Sequence, residues 1–263
     1  MNDLFDEAIE QQQLTHLYSL FSGGHDSLAA TALAAKHPLF SGVVHINTGI
    51  GIEQTRTFVR DVCAERGWPL HEVRAPEGLY EELVLTRGGF PYGNASHNTM
   101  LFYLKQQPLL RWHRKIEGRH GFVTGIRRQE SNRRMGAGIS VPIRPDPKNT
   151  RMIWLSPILD WSSVDCGRLI EEEGLPRNSV VDLLHRSAEC LCGALANSGE
   201  IHEIARWFPD TALRINALEQ ECERRGIPAS VWAGRDARWI SENQMTMFSK
   251  ADLAPLCVSC EAR

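Results

Sequence analysis

The chain has no run of about 18 apolar residues, so no transmembrane helix is expected. It opens on an acidic M-N-D-L-F-D-E-A-I-E with neither a basic stretch nor an apolar core, which reads against a secretory signal. Net charge is nearly absent. Lys and Arg number 29 against 32 Asp and Glu, and the resulting −3 removes any global pull toward nucleic acid while leaving local basic patches open. No Walker-type G-x-x-x-x-G-K-S/T pattern occurs. Ten histidines are present without an H-x-x-x-H or H-E-x-x-H pair, and none is assigned to metal. Internal repeats, low-complexity tracts and the aromatic–basic ladders that bind single strands are also missing. Seven cysteines in a chain read as cytoplasmic point to thiols, or to metal or cluster ligands, rather than to a disulfide framework.

What is present is ordinary in bulk. The 263 residues are 42% hydrophobic and 23% charged, enough to bury a large core. The informative stretch is Leu17 to Ser27, L-Y-S-L-F-S-G-G-H-D-S. An apolar run ends in a Ser-Gly-Gly turn, and an alanine-rich segment of helical composition, Leu28–Lys36, follows. Strand, glycine loop and helix in that order make an anion seat. Glycines let the backbone approach a ligand, and the first N–H groups of the helix point at it. Ser22, Gly23, Gly24, His25, Asp26 and Ser27 are the candidate phosphate contacts; His25 reads equally as a contact or as loop filler.

Strand-like and helix-like segments alternate through the first two thirds. Strands are expected at Leu17–Phe21, Val43–Asn47, Leu70–Arg74, Phe122–Thr124 and Met152–Leu155. Helices are expected at Glu53–Arg66, stopped by Gly67, at Leu79–Thr86, and at Ser162–Glu173 with Ser162 and Asp165 as a capping box. Pro142–Asn149 reads as a loop near the site. This alternation predicts an α/β fold, a mostly parallel sheet with helices on both faces. After about Asn178 the strand signals stop. Residues 1–177 are therefore read as a nucleotide-binding α/β domain and 178–263 as a helical, cysteine-bearing C-terminal region, with Asp210 capping a helix that runs to Arg225.

Two further constellations carry chemistry. Thr124 to Arg134, T-G-I-R-R-Q-E-S-N-R-R, sets Arg127, Arg128, Arg133 and Arg134 at the end of a predicted strand, with Gly125 as a turn and Glu130 to orient a guanidinium. Guanidinium groups bind phosphate or sulfate through paired hydrogen bonds. Cys190-Leu191-Cys192 and Cys257-Val258-Ser259-Cys260 are two close pairs, able to supply four thiolates to an iron–sulfur cluster or to zinc. Cys63, Cys166 and Cys222 read as buried apolar side chains.

The S-G-G-x-D-S loop resembles the PP-loop of the ATP pyrophosphatase superfamily. Taken with Thr48-Gly49, the Arg-rich segment, and P-I-L-D-W through G-L-P-R-N (Pro157–Asn178), it resembles the phosphoadenosine phosphosulfate (PAPS) reductase family within that superfamily. The resemblance covers about residues 15 to 195. It implies an adenine nucleotide alpha hydrolase-like fold and a ligand that is ATP or PAPS. It adds Gly49, Glu53, Lys105 (in L-K-Q-Q-P-L), Gly125 and Ser131 to the nucleotide contacts, with Asp26, Ser27, Arg127 and Arg128 as the reacting set. It implies a 4Fe-4S cluster on the four paired cysteines, with zinc as alternative, and Mg²⁺ with ATP. One departure stands out: sulfonucleotide reductases carry an E-C-G-x-H type segment whose cysteine attacks sulfur, and none follows Cys260 in this sequence. ATP cleavage at the α-phosphate in support of sulfur transfer or nucleic-acid modification, such as DNA phosphorothioation, is thus the leading expectation. A genuine PAPS or adenylylsulfate reductase and a non-catalytic nucleotide-binding subunit are the alternatives. A nucleic-acid acceptor, a sulfur-donor protein and a homo-oligomer stay open as partners.

Overall fold

The computed structural model describes residues 2–130, 141–197 and 199–234. Ser131, Arg133, Arg134, Cys257 and Cys260 lie outside these residues, as does the side chain of Glu130. Six strands form one sheet: β1 (His16–Leu20), β2 (Phe40–Asn47), β3 (Leu70–Arg74), β4 (His120–Val123), β5 (Ile143–Pro145) and β6 (Met152–Leu155), in the order β3-β2-β1-β4-β6-β5. All pairings are parallel except β5 with β6. The expected fold class is observed.

Alternation along β1 explains why both faces are covered. Leu17 and Phe21 enter a core shared with helices α1 (Asn2–Gln12), α2 (His25–Ala34), α3 (Glu53–Arg66) and α7 (Ser163–Glu172). Tyr18 and Leu20 point to the opposite face, where Leu109 and Trp112 of α6 (Gln107–His113) pack against Tyr18, Phe122 and Met152. A strand buried on both faces reads as a nearly continuous apolar run, as Leu17–Phe21 does. Ser19 is the polar exception, and it is fully buried. Its hydroxyl lies 2.7 Å from that of Thr31, which donates to the Ser27 carbonyl, so β1 and α2 are joined by a short polar ladder under the glycine loop.

Two expectations need correction. Pro142–Asn149 is not all loop: Ile143–Pro145 pairs as an antiparallel edge strand with Leu155, Trp154 and Ile153. Its prolines hide the signal, because proline is tolerated where the sheet ends. Asp210 does not cap the last helix. That helix, α10 (Pro209–Arg224), begins one residue earlier on Pro209, whose fixed φ suits a first turn, and Asp210 sits inside that turn. The capping box of Ser162 and Asp165 and the left-handed stop at Gly67 are both present.

Between β3 and β4 the chain forms α4 (Leu79–Thr86), α5 (Gly93–Leu101), a π-helical turn over Phe102–Gln106, and α6. The C-terminal helices α8 (Ser179–Leu184), α9 (Glu200–Trp207) and α10 join this layer in one core, where Ile204, Ile215 and Leu218 meet Tyr80, Leu83 and Leu104.

Below the sheet lies a buried histidine pair, His113 and His120, with ring centroids 4.9 Å apart. Burial, helped by the neighbouring ring, pushes His113 down to about 4; burial also lowers His120. The unfolded chain takes up the His113 proton near the ordinary value of 6.5, whereas the fold resists it until about pH 4. Stability is thus unaffected above pH 6.5 and falls as pH drops from 6.5 toward 4, by on the order of 3 kcal/mol for His113. Urea midpoints of wild type and His113→Gln at pH 7 and pH 4.5 check this. Equal acid losses in the two proteins would sink it.

Candidate nucleotide cleft

β1 lies between β2 and β4, so the chain leaves it in both directions across the sheet. Ligands of open α/β sheets bind at such a switch point, beyond the carboxyl ends of the strands. A cleft of about 1770 Å³ opens there. The loop after β1 and the Thr124–Arg127 segment after β4 both line it.

The glycine loop is held by its own hydroxyls. Ser27 Oγ donates to the Gly24 carbonyl at 2.9 Å and receives the Ser22 amide at 3.3 Å. Its proton being spent on Gly24, it accepts from the Ser22 hydroxyl at 3.1 Å. Gly23 has φ +82°, and a Cβ there would stand 2.6 Å from Thr55 Cγ2, so no side chain fits. The Gly23 carbonyl is held by Asn178 Nδ2 at 2.9 Å. Gly24 is different: a Cβ would meet nothing nearer than 3.7 Å. Its lack of a side chain leaves room on the cleft side, at the N-terminus of α2. Gly125 supports the loop from below, its Cα packed on the Asp26–Ser27 backbone.

Charge is arranged around this cradle. Arg127 Nε lies 2.9 Å from Asp26 Oδ2, with both side chains largely buried at 12% and 22% exposure, so Asp26 fixes the guanidinium beside the loop. Lys105, on the π-helical turn, also lines the cleft. His25 also lines it; burial first, then the Arg177 charge, lower its basicity, so the ring is neutral at pH 7. Arg128 turns away to Asp160 at 2.7 Å, and its amide is bonded to the Leu159 carbonyl. Gly49 and Glu53 do not line the cleft. The Gly49 carbonyl accepts from Arg214, and Glu53 pairs with Arg56 and Arg60 on α3.

Replacing Arg127 by Gln is expected to weaken nucleotide binding about tenfold or more, since a hydrogen bond to a charged group contributes about 1.5–3 kcal/mol. The loss should shrink as salt rises and screens the charge. Binding isotherms at low and high ionic strength check it; a salt-independent loss argues for a steric cause.

A second constellation lies where Ser187–Cys192 crosses the strand ends. Thr55 Oγ1 donates to the Ser187 carbonyl at 2.5 Å, and the Ile52 amide to Ala188 at 3.1 Å. Glu189, 3% exposed, accepts the Thr48 amide on Oε1 at 2.9 Å. Its Oε2 faces His45 Nε2 at 3.4 Å and Arg56 Nε at 3.7 Å, both buried. Tyr80 Oη and Trp232 Nε1 donate to the carbonyls of Cys192 and Leu191. This frame sets Cys190 beside Cys192. The Cys192 thiol donates to Cys190, and with the Lys105 charge it holds Cys190 well below the ordinary thiol value, while Cys192 is pushed up. Among the described residues no group of three metal-ligating side chains forms, and Cys190 and Cys192 stand as a pair. Cys63, Cys166 and Cys222 are buried, as their sequence positions indicate. No described cysteine lines the cleft.

The phosphoadenosine phosphosulfate reductase domain model matches residues 16–191, which is more than half of the chain and holds the strand, loop and arginine segment just described. The chain belongs to the PAPS reductase family. A PAPS reductase from Candida auris, solved as a phosphate complex, shares its fold, at 20% identity and a TM-score of 0.50, over 69% of this chain and 83% of that one. A U34-tRNA thiolase from Methanococcus maripaludis with its 4Fe-4S cluster aligns at 13% identity and a TM-score of 0.44, over 84% and 79%. An FMN adenylyltransferase from Candida glabrata with FAD and pyrophosphate aligns at 14% and 0.42, over 65% and 53%. No curated protein matches. No described helix of this PAPS reductase family member is long and apolar enough to cross a membrane.

Residues that the sequence reading passed over complete the cleft. Asn178 was visible as the end of G-L-P-R-N, but its bond to Gly23 was not. Glu189 carries no signal beyond its place before Cys190. Arg144 lies in β5, which its prolines disguise as a loop, and Trp154 lies in the expected strand Met152–Leu155 with nothing to mark it as a cleft residue.

Proposed function

We propose that this PAPS reductase family member binds ATP with Mg²⁺ and activates an acceptor by adenylation in support of sulfur transfer. An acceptor oxygen attacks the α-phosphorus, the bond to the bridging oxygen breaks, and pyrophosphate leaves. The observation that carries this reading is the glycine cradle with Arg127 fixed over it by Asp26. Backbone N–H groups and a preset guanidinium stabilise charge that grows on the leaving pyrophosphate. Positioning contributes the rest.

Cys190, Cys192, Cys257 and Cys260 hold a 4Fe-4S cluster in this reading, with zinc as the alternative. A cluster supplies electron transfer or a site for sulfur when bound. Nucleic acid is the acceptor class this reading takes first, as in DNA phosphorothioation.

The experiment is direct. Anaerobically purified protein is incubated with ATP or with PAPS, and the products and metal content are measured. Pyrophosphate from ATP supports the proposal. Sulfite from PAPS assigns a sulfonucleotide reductase instead, and neither product leaves a nucleotide-binding subunit. Iron lost on Cys190→Ser supports the cluster, and zinc in its place overturns the redox part.

A further inference from the structure

We propose that the cleft carries a second anion seat, separate from the glycine cradle, built on Arg144 and backed by the indole of Trp154, which receives the oxyanion of the second substrate. This deepens the adenylation reading and rests on it for the word substrate, though the seat is argued from its own residues.

Arg144 is the middle residue of β5 and stands opposite Trp154 in the antiparallel register. Directly opposed residues project from the same face of a sheet, and both line the cleft. Arg144 makes no hydrogen bond or ion pair with any described residue, and its Nε is shut off from solvent. Burial lowers the basicity of this guanidinium, and the Asp146 charge offsets only part of that effect. The nearby acid is already occupied. Asp146 accepts the Trp154 indole N–H on Oδ2 at 2.9 Å and the amides of Lys148 and Asn149 on Oδ1, each at 2.9 Å. A guanidinium nitrogen shut off from water and without a partner among the described residues is unfavourable, and an incoming oxyanion removes that cost. The guanidinium fork suits carboxylate and phosphate alike.

Position separates this seat from the cradle. β5 lies three strands from β1, about 14 Å across the sheet at about 4.8 Å per strand. The cleft, at about 1770 Å³, exceeds the roughly 300–1,000 Å³ of a site for one small ligand. Arg127 is tied to Asp26 beside the cradle, and Arg144 has no such tie among the described residues.

The full chain is saturated with a non-hydrolysable ATP analogue and titrated with inorganic phosphate and, separately, with acetate. Wild type is expected to take up a probe with the analogue bound. Arg144→Gln should weaken probe uptake about tenfold or more while leaving the analogue's affinity unchanged. Arg144→Lys, which keeps the charge but not the fork, should fall between them and serves if the Gln variant does not fold. Phosphate bound better than acetate marks a phosphorylated acceptor, and the reverse marks a carboxylate. No uptake by wild type, equal uptake by the variants, or equal loss of analogue and probe each overturns the second seat. A wild type that binds no analogue yet takes up phosphate through Arg144 keeps the seat and sinks only the nucleotide reading.

Discussion

Glu189→Ala is expected to lower stability by about 3–5 kcal/mol, the cost of breaking a buried ion pair from one side. The carboxylate is 3% exposed and serves three partners at once: the Thr48 amide, His45 and Arg56. Alanine removes all three and leaves Arg56, itself buried, facing a small void. Arg56 keeps its bonds to Glu53 and to the Gly51 carbonyl, which places the loss toward the lower end of that range. For a chain of this size the change corresponds to a melting shift of about 10 °C. Glu189→Gln keeps the shape and an acceptor for Thr48 but drops the charge, so its loss should be smaller. Thermal melts of the three proteins decide the matter. An alanine variant within about 1 kcal/mol of wild type would show the cluster to be electrostatically idle, as some buried pairs are.

Gly125→Ala should disable the cleft. A Cβ at this position would stand 2.5 Å from Ser27 N and 2.6 Å from both Asp26 C and Ser27 Cα. These are backbone atoms at the start of α2, so no side chain can swing aside. Either β4 retreats or the helix start lifts, and the Ser22–Ser27 hydroxyl net opens. Overpacking of this kind costs about 1–3 kcal/mol of stability. Nucleotide affinity should fall further than stability does, because the displaced atoms are the ones that form the cradle; a loss of about a hundredfold corresponds to about 2.7 kcal/mol. Gly167→Ala is the control: it also lines the cleft, but nothing lies within 4 Å of its Cβ, and it should fold and bind as wild type. Unchanged nucleotide binding in Gly125→Ala would remove the loop from the site.

Much of this was legible in the chain because local signals and tertiary context agree. Glu53–Arg66 ends where Gly67 permits a left-handed turn, and the helix beginning at Ser163 is announced by its capping box. The Ser-Gly-Gly loop is recognisable because a phosphate seat needs small residues in sequence order. Contacts made only by folding were not legible. Arg127 and Arg128 are adjacent and chemically identical, yet one is drawn to Asp26 and the other to Asp160. Glu189 meets Thr48 across 141 positions, a pairing that no periodicity encodes. Lys105 is marked by the L-K-Q-Q-P-L resemblance, but the π-helical turn that carries it to the cleft lies outside the spacing rules used to read helices.

Strand β5 has a consequence for the molecule in crowded solution. A sheet that ends in an open strand offers a template on which other chains can add. Here the last strand is three residues long, is followed by Asp146, Pro147 and Lys148, and ends on Pro145, which has no N–H to give. The opposite edge, β3, carries His71, Glu72 and Arg74 among its five residues. Both margins therefore discourage edge-to-edge growth, so the parallel sheet that builds the cleft is guarded against aggregation by the strand that carries Arg144.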